Sequence, residues 1–146
     1  MLLKPFTLLL ILLFFGIGVT IAQVQDNAED VFRVSQETNK PVLLVFAGSD
    51  WCAPCIRFDK NILDKSEFQN FAKDNLVILK ADFPQRKPLP KNLEEQNALL
   101  AEKYNPKGLF PYLILIRPAK SVISSVSYEN QSPKEFIEEL KSHLSE

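Results

Sequence analysis

The only two cysteines of the chain stand two residues apart in the segment Trp51-Cys52-Ala53-Pro54-Cys55. They follow an apolar run at residues 41–47, which predicts a buried strand because it is short, rich in valine and closed by Gly48 and Ser49. An amphipathic helix is predicted to begin at the cysteines. At a helix N-terminus, unpaired backbone N–H groups and the helix dipole stabilise a thiolate. The segment is therefore a candidate redox-active dithiol.

Three other uses of a cysteine pair are less consistent with the chain. A structural zinc site has four ligands, and the single histidine, His143, lies near the far terminus. Covalent haem attachment needs a histidine directly after the second cysteine, where Ile56 stands. A purely structural disulfide across so short a loop would add little stability. We therefore expect thiol-disulfide chemistry with no metal and no other cofactor, and a static disulfide is the alternative.

The N-terminal residues have the pattern of a signal peptide. Lys4 precedes the apolar residues 6–22, and Thr20 and Ala22 approximate the small-x-small cleavage rule. This predicts a signal peptide over residues 1–22 and a mature domain over residues 23–146. An uncleaved anchor through residues 6–22 is the alternative, because the segment is barely long enough to span a bilayer core of ~30 Å. In both cases the flanking charges predict a domain outside the cytoplasm.

Helical and strand patterns alternate through the remaining chain. Strands are predicted over residues 41–47, 76–82, 112–116 and 121–128. Helices are predicted over residues 27–38, 52–63, 67–73 (with Ser66 as its cap) and 93–104, and from Pro133 onward with Ser132 as the cap. Several prolines predict an exposed loop over residues 83–91. The alternation predicts one α/β domain with a central mixed β-sheet flanked by helices, and the net charge of −1 gives no reason to expect nucleic acid as a partner.

The Trp51–Cys55 motif, the segment Gly108-Leu109-Phe110-Pro111 before a buried strand, and the order of elements together resemble the thioredoxin family. The resemblance covers roughly residues 28–144 and implies a thioredoxin-like fold. It also implies that Pro111 is cis and packs against the cysteines, and that a substrate peptide pairs with the backbone at Phe110. The signal segment and the proline-rich insertion resemble exported bacterial thioredoxin-like proteins, which implies a periplasmic location.

The resemblance implies that Cys52 attacks a client disulfide and that Cys55 resolves the mixed disulfide. Trp51 would offer a flat apolar contact, Pro54 would stiffen the first helical turn, and Ala53 would leave room for the substrate. Strong oxidants of the family have a histidine between the two cysteines, and this chain has Ala53 and Pro54 there instead. We therefore favour a reductase. A disulfide isomerase or oxidase, and a non-catalytic binding module, are the alternatives. We expect a monomer, and the resemblance implies disulfide-containing client proteins as partners and a membrane thiol reductant as electron donor.

The chain departs from the family in the strand before the motif. Thioredoxins carry a buried acid there that assists proton transfer at the second cysteine, whereas Val45 and Phe46 occupy the candidate positions. Lys80 matches the family's lysine on the second strand. Lys80, Asp50 and water are the candidates for proton transfer at Cys55. Alternatively, Lys80 is an edge lysine whose side chain reaches solvent.

Overall fold

The computed structural model describes residues 23–145, in which strands and helices alternate. The strands are β1 (Val24–Gln25), β2 (Val42–Ala47), β3 (Val77–Asp82), β4 (Tyr112–Ile116) and β5 (Val122–Val126). The α-helices are α1 (Ala28–Thr38), α2 (Ala53–Phe58), α3 (Ser66–Asn75), α4 (Lys91–Tyr104) and α5 (Pro133–Leu144). A π-helical turn, Asp59–Leu63, continues directly from α2. The predicted signal segment, residues 1–22, lies outside the described residues.

The five strands form one mixed sheet in the order β1-β3-β2-β4-β5. The first three strands are parallel to one another, and β4 and β5 are antiparallel to their neighbours. All six residues of the central strand β2 are buried, as expected for a strand covered by helices on both faces. The structure therefore confirms the predicted α/β class with a mixed, helix-flanked sheet.

Alternate residues of β2 point into two separate apolar clusters, because successive side chains of a strand project to opposite faces. Leu43 and Val45 pack on the side that holds α2, α3 and α5. Leu44 and Phe46 pack on the side that holds α1 and α4. The cysteines belong to the first cluster, so the dithiol is attached to one particular face of the sheet.

Helix caps were predicted correctly where the signal is local and wrongly where it is ambiguous. The Ser132 hydroxyl accepts from Glu135 N and the Glu135 carboxylate accepts from Ser132 N, which confirms the capping box that begins α5. Ser66, in contrast, is the first residue of α3 and not its cap. Lys65 holds the cap position without a side-chain hydrogen bond, so that prediction was wrong.

Two features of the described chain were not predicted. The short strand β1 pairs with β3 at the edge of the sheet, with Val24 opposite Ile78. The segment predicted as one helix, residues 52–63, is instead α2 followed by the π-helical turn. Among the described helices, none combines the length and the apolar character needed to cross a bilayer.

Candidate active site

The dithiol lies where β2 ends and α2 begins. Cys52 is the N-cap of α2, and its backbone N–H donates to the Gly48 carbonyl at 2.9 Å, which closes the turn between strand and helix. Pro54 lies in the first helical turn, where its missing N–H leaves no helical hydrogen bond unmade. The local sequence thus produces the strand-turn-helix arrangement that was expected.

Cys52 and Cys55 are joined by a disulfide, with their Cα atoms 5.2 Å apart. The backbone N–H of Cys55 also donates to the Cys52 sulfur at 3.3 Å. Cys52 is 5% exposed and Cys55 is 1% exposed. In this oxidised form both cysteines are therefore buried, with Cys52 nearer the surface, while Ala53 and Pro54 between them are exposed.

Trp51 is a surface residue of the site and not a core residue, with 39% of its area exposed. Its ring lies so close to Gly48 that a Cβ atom there would collide with the indole. The indole N–H donates to the Phe83 carbonyl at 2.7 Å, and its ring makes an edge contact with Phe110 at 5.4 Å between centroids. Trp51 and Phe110, two predicted substrate-contact residues, are thus brought together.

The Phe110–Pro111 peptide bond is cis, the isomer that the family resemblance implies. The segment before it is fixed by Asn105, a buried residue that sequence reasoning did not single out. Its side-chain amide donates to the Leu109 carbonyl at 2.9 Å and accepts from the Leu109 N–H at 3.0 Å. The sequence Asn105-Pro106-Lys107-Gly108, which combines three residue types common in turns, was the available signal for this turn.

Lys80 pairs with Val45 of β2 and lies one residue beyond the point where the pairing of β1 with β3 ends, yet its side chain is mostly shielded from solvent. Its ammonium forms an ion pair of 2.5 Å with Asp59 Oδ2, in a position where the two side chains are 19% and 27% exposed. Asp59 was also missed by sequence reasoning. Its spacing of four residues from Cys55, one helical turn, was the signal that could have revealed it.

Asp50, the other side chain considered for proton transfer, is engaged elsewhere. Its carboxylate oxygens accept from the backbone N–H groups of Gln85 at 2.9 Å and Arg86 at 2.7 Å. The hydrogen bond from Gln85, supported by that from Arg86, holds the pKa of the Asp50 carboxyl below its ordinary value. Asp50 therefore ties the proline-rich loop, residues 83–90, to the turn that carries the cysteines.

Within residues 23–145, no group of three or more histidine, cysteine, aspartate or glutamate side chains is placed to hold a metal ion. What this part of the chain does present is a cysteine pair bordered by two exposed apolar side chains, Trp51 and Ile56. Leu109, also exposed, lies on the segment before Pro111. Such a surface can receive an extended peptide next to the sulfur atoms.

Comparison with known proteins shows that this chain is similar to thioredoxin-like redox proteins. A family profile described as thioredoxin-like matches residues 23–118. The disulfide bond reductase DsbH of Chlamydia pneumoniae is 34% identical over 119 residues, which cover 82% of this chain and 71% of that protein. The thioredoxin-related protein DsbJ of the same organism is 25% identical over 104 residues, but these cover only 30% of its length.

The solved structure of a DsbH oxidoreductase superposes on this chain with a TM-score of 0.80 at 29% identity, over 89% of each chain. The similarity confirms the thioredoxin-like fold that the sequence resemblance implied.

Proposed function

The chain belongs to the thioredoxin-like family and is a thiol-disulfide oxidoreductase, and we propose that it reduces protein disulfides through Cys52 and Cys55. The observation that carries the proposal is the disulfide between these residues at the start of α2. The similarity to a protein named disulfide bond reductase supports the reducing direction.

In this proposal Cys52 is the attacking residue. Its sulfur lies at the N-terminus of α2 and accepts a hydrogen bond from Cys55 N, and both features favour the thiolate. The thiolate attacks a client disulfide and forms a mixed disulfide, which Cys55 then breaks by attacking the Cys52 sulfur. The deeper burial of Cys55 suits it to this internal step.

Substrate binding is assigned to Trp51, Phe110 and Pro111. The hydrogen-bonded ladder between β2 and β4 ends at the pair Phe46 and Tyr112, so the backbone at Phe110 lies beyond the sheet. An extended client segment can pair there as an added strand, with Trp51 against one side of it. Ala53 and Pro54 supply a flat exposed surface between the cysteines.

The reducing direction is tested by the equilibrium redox potential of the cysteine pair. We expect a value near that of thioredoxin, about −270 mV, and not near that of protein disulfide isomerase, about −180 mV. Purified protein would be equilibrated with glutathione buffers and its disulfide fraction measured by alkylation and mass spectrometry. Dithiothreitol-driven reduction of insulin, with Cys52→Ser as control, would then test activity. A potential above the glutaredoxin range would point to an isomerase or oxidase, and an inactive protein with an irreducible disulfide to a binding module.

We also place the domain outside the cytoplasm, in a bacterial periplasm, with residues 1–22 as its signal peptide or anchor. Support comes from the apolar N-terminal sequence and from the similarity to Dsb proteins. A dithiol in an oxidising compartment must be reduced again after each turnover, so a membrane thiol reductant is assigned as the electron donor. Alkaline phosphatase fused to the C-terminus should be active in cells, and N-terminal sequencing should locate cleavage before Gln23.

A further inference from the structure

Proton transfer at Cys55 is the one step of the proposed cycle for which the cysteines themselves provide no group. Cys55 is almost fully buried, yet only the thiolate is nucleophilic. Its proton must therefore leave inside the protein when the mixed disulfide is resolved. An internal base near the first turn of α2 is required.

We infer that the Asp59 carboxylate accepts the proton of the Cys55 thiol during resolution, directly or through one water, and that Lys80 holds this carboxylate in place. The inference rests on the proposed function, because it concerns a step of the same cycle.

The helix brings Asp59 and Cys55 to the same side. The backbone N–H of Asp59 donates to the carbonyl oxygen of Cys55, so the two residues are separated by one helical turn. Side chains four residues apart on a helix are neighbours, with Cβ atoms about 5–6 Å apart. That separation suits proton transfer through hydrogen bonds or one bridging water.

The sheet determines where the Asp59 carboxylate points. Oδ2 is paired with Lys80 Nζ, and Lys80 lies opposite Val45 in the register of β3 and β2. Val45 and Cys55 belong to the same buried cluster. The carboxylate is therefore turned inward, toward the face of the sheet on which the Cys55 side chain is packed.

One carboxylate oxygen remains open for a proton. Asp59 Oδ1 is shielded from solvent and accepts no hydrogen bond from any residue in the described part of the chain. Buried carboxylate oxygens ordinarily have a donor. In the oxidised form described here Cys55 is part of a disulfide and has no proton to donate. In the reduced form its thiol can donate to Asp59 Oδ1. This accounts for the absence of a hydrogen-bond donor to Oδ1 in the oxidised form.

The other charged groups on the surrounding elements are either paired elsewhere or exposed to solvent. The Asp82 carboxylate accepts from the N–H and hydroxyl of Ser49, and Arg57 is exposed and donates to Asn130. Lys60 is exposed. The ring of Tyr128 packs on Phe58, and its buried hydroxyl has no hydrogen-bond partner among the described residues. The buried residues contributed by α3 and α5 are apolar: Phe68, Ala72, Phe136, Ile137 and Leu140.

The step balances as follows for a client disulfide. The Cys52 thiolate bonds to one client sulfur, and the other client sulfur leaves as a thiolate. The Cys55 thiol then gives its proton to Asp59, its sulfur bonds to Cys52, and the Cys52–client bond breaks. The second client thiolate leaves, and both client thiolates take up protons, one of them by way of Asp59. Two electrons pass from the cysteine pair to the client.

The test separates attack by Cys52 from resolution by Cys55. A cysteine peptide activated as its disulfide with thionitrobenzoate is mixed with the reduced protein. Release of thionitrobenzoate reports attack, and acid quenching with mass spectrometry follows the peptide adduct until it is resolved. Asp59→Asn is compared with Asp64→Asn, which makes the same change at an exposed position five residues along the chain.

We expect Asp59→Asn to leave the attack rate within about twofold of the wild type and to slow resolution by at least about tenfold at pH 7, at the low end of general-base effects. The deficit should vanish near pH 9–10, where a thiol ionises unaided. Asp64→Asn should match the wild type throughout. Equal resolution rates for Asp59→Asn and wild type across this pH range would overturn the inference.

A second variant keeps the inference testable if Asp59→Asn does not fold. In Lys80→Met the carboxylate remains but loses the ammonium group that holds it in place. Resolution should then be slower than in the wild type at pH 7 and recover near pH 9–10, with the attack rate unchanged, and an unchanged resolution rate at pH 7 would overturn the inference. Failure of the proposed function is distinguishable, because in that case the wild-type protein itself would form no peptide adduct or would never resolve it.

Discussion

The indole N–H of Trp51 donates a 2.7 Å hydrogen bond to the carbonyl oxygen of Phe83. Trp51 directly precedes Cys52, and Phe83 begins the proline-rich loop. The bond therefore connects the dithiol segment to a loop more than thirty residues away in sequence. Together with the Asp50 contacts to Gln85 and Arg86, it makes the loop a structural support of the site.

Gly48→Ala should displace the Trp51 ring, because the added Cβ would collide with the indole. We expect loss of the bond to Phe83, a shift in tryptophan emission, and destabilisation of about 1–3 kcal/mol, as in other overpacked sites. Trp51 is the only tryptophan, so its fluorescence reports this site alone, and urea unfolding measures stability.

Gly108→Ala is the matched control for that substitution. Gly108 has a φ of 62° and open space around its Cα, so alanine there introduces backbone strain of about 1–2 kcal/mol without a collision. Tryptophan emission should stay unchanged. If Gly48→Ala left the emission and the unfolding midpoint unaltered, the close contact of Gly48 and Trp51 would be contradicted.

Cys55→Ser should accumulate covalent adducts with client proteins, because Cys52 can attack but no second thiol can resolve the product. Adducts would be detected as high-mass bands on non-reducing gels that disappear with dithiothreitol. Cys52→Ser should give few or none. Adducts formed mainly by Cys52→Ser would reverse the assignment of attacking and resolving residues.

Anchoring of the proline-rich loop should depend on acid pH through Asp50. Hydrogen bonding by Gln85 N–H lowers the pKa of this carboxyl in the folded state below its ordinary value of 3.8. The stabilising contribution is therefore complete above pH 3.8 and is lost as the pH falls through the lowered folded pKa. Protection of the Gln85 and Arg86 amides against hydrogen exchange, measured relative to unstructured amides at the same pH, should hold down to about pH 4 and fall below it.

Asp50→Asn should release the same two amides at every pH, because a neutral amide group replaces the paired carboxylate oxygens. Asp74→Asn alters an exposed carboxylate on α3 and should leave their exchange unchanged. Fast exchange at Gln85 in the wild-type protein at neutral pH would refute the proposed anchoring.

Asn105→Ala should weaken client binding more than it slows the chemical step. Both hydrogen bonds to the Leu109 peptide would be lost, at a cost of about 1–3 kcal/mol in stability. The segment leading to Phe110 would lose its fixed position. We expect KM for insulin to rise with kcat nearly unchanged, whereas Asn70→Ala, at an exposed position of α3, should alter neither constant.

Features set by adjacent residues were predictable from the sequence. The Ser132 capping box and the location of the cysteines at the start of α2 depend on residues within four positions of each other. The buried strand β2 was predictable because its continuous apolar run fits only the centre of a sheet. The Cys52 and Cys55 pair could thus be assigned to the junction of a strand and a helix from the sequence alone.

Features set by contacts between distant residues were not predictable. The two residues of β1 form a strand only because β3 offers a free edge. The ion pair of Lys80 and Asp59 depends on the approach of the π-helical turn to β3, which no local pattern encodes. In the sequence Asn105 resembles any polar residue of a turn, and only the folded chain brings its side chain to the Leu109 peptide.

The parallel pairing of β1 with β3 has a practical consequence for handling the domain. Val24 pairs with Ile78, four residues before β3 ends at Asp82. Asp82 in turn pairs with Ala47, the last residue of β2 before the turn that carries the cysteines. At ~3.3 Å per residue, the polypeptide joins the sheet roughly 13 Å before the end of β3 and runs toward the end of the sheet that carries the dithiol. A bead, a surface or a fusion partner coupled at Gln23 is thus joined behind the catalytic end, and immobilised protein should keep its sulfur atoms accessible to the surrounding solution.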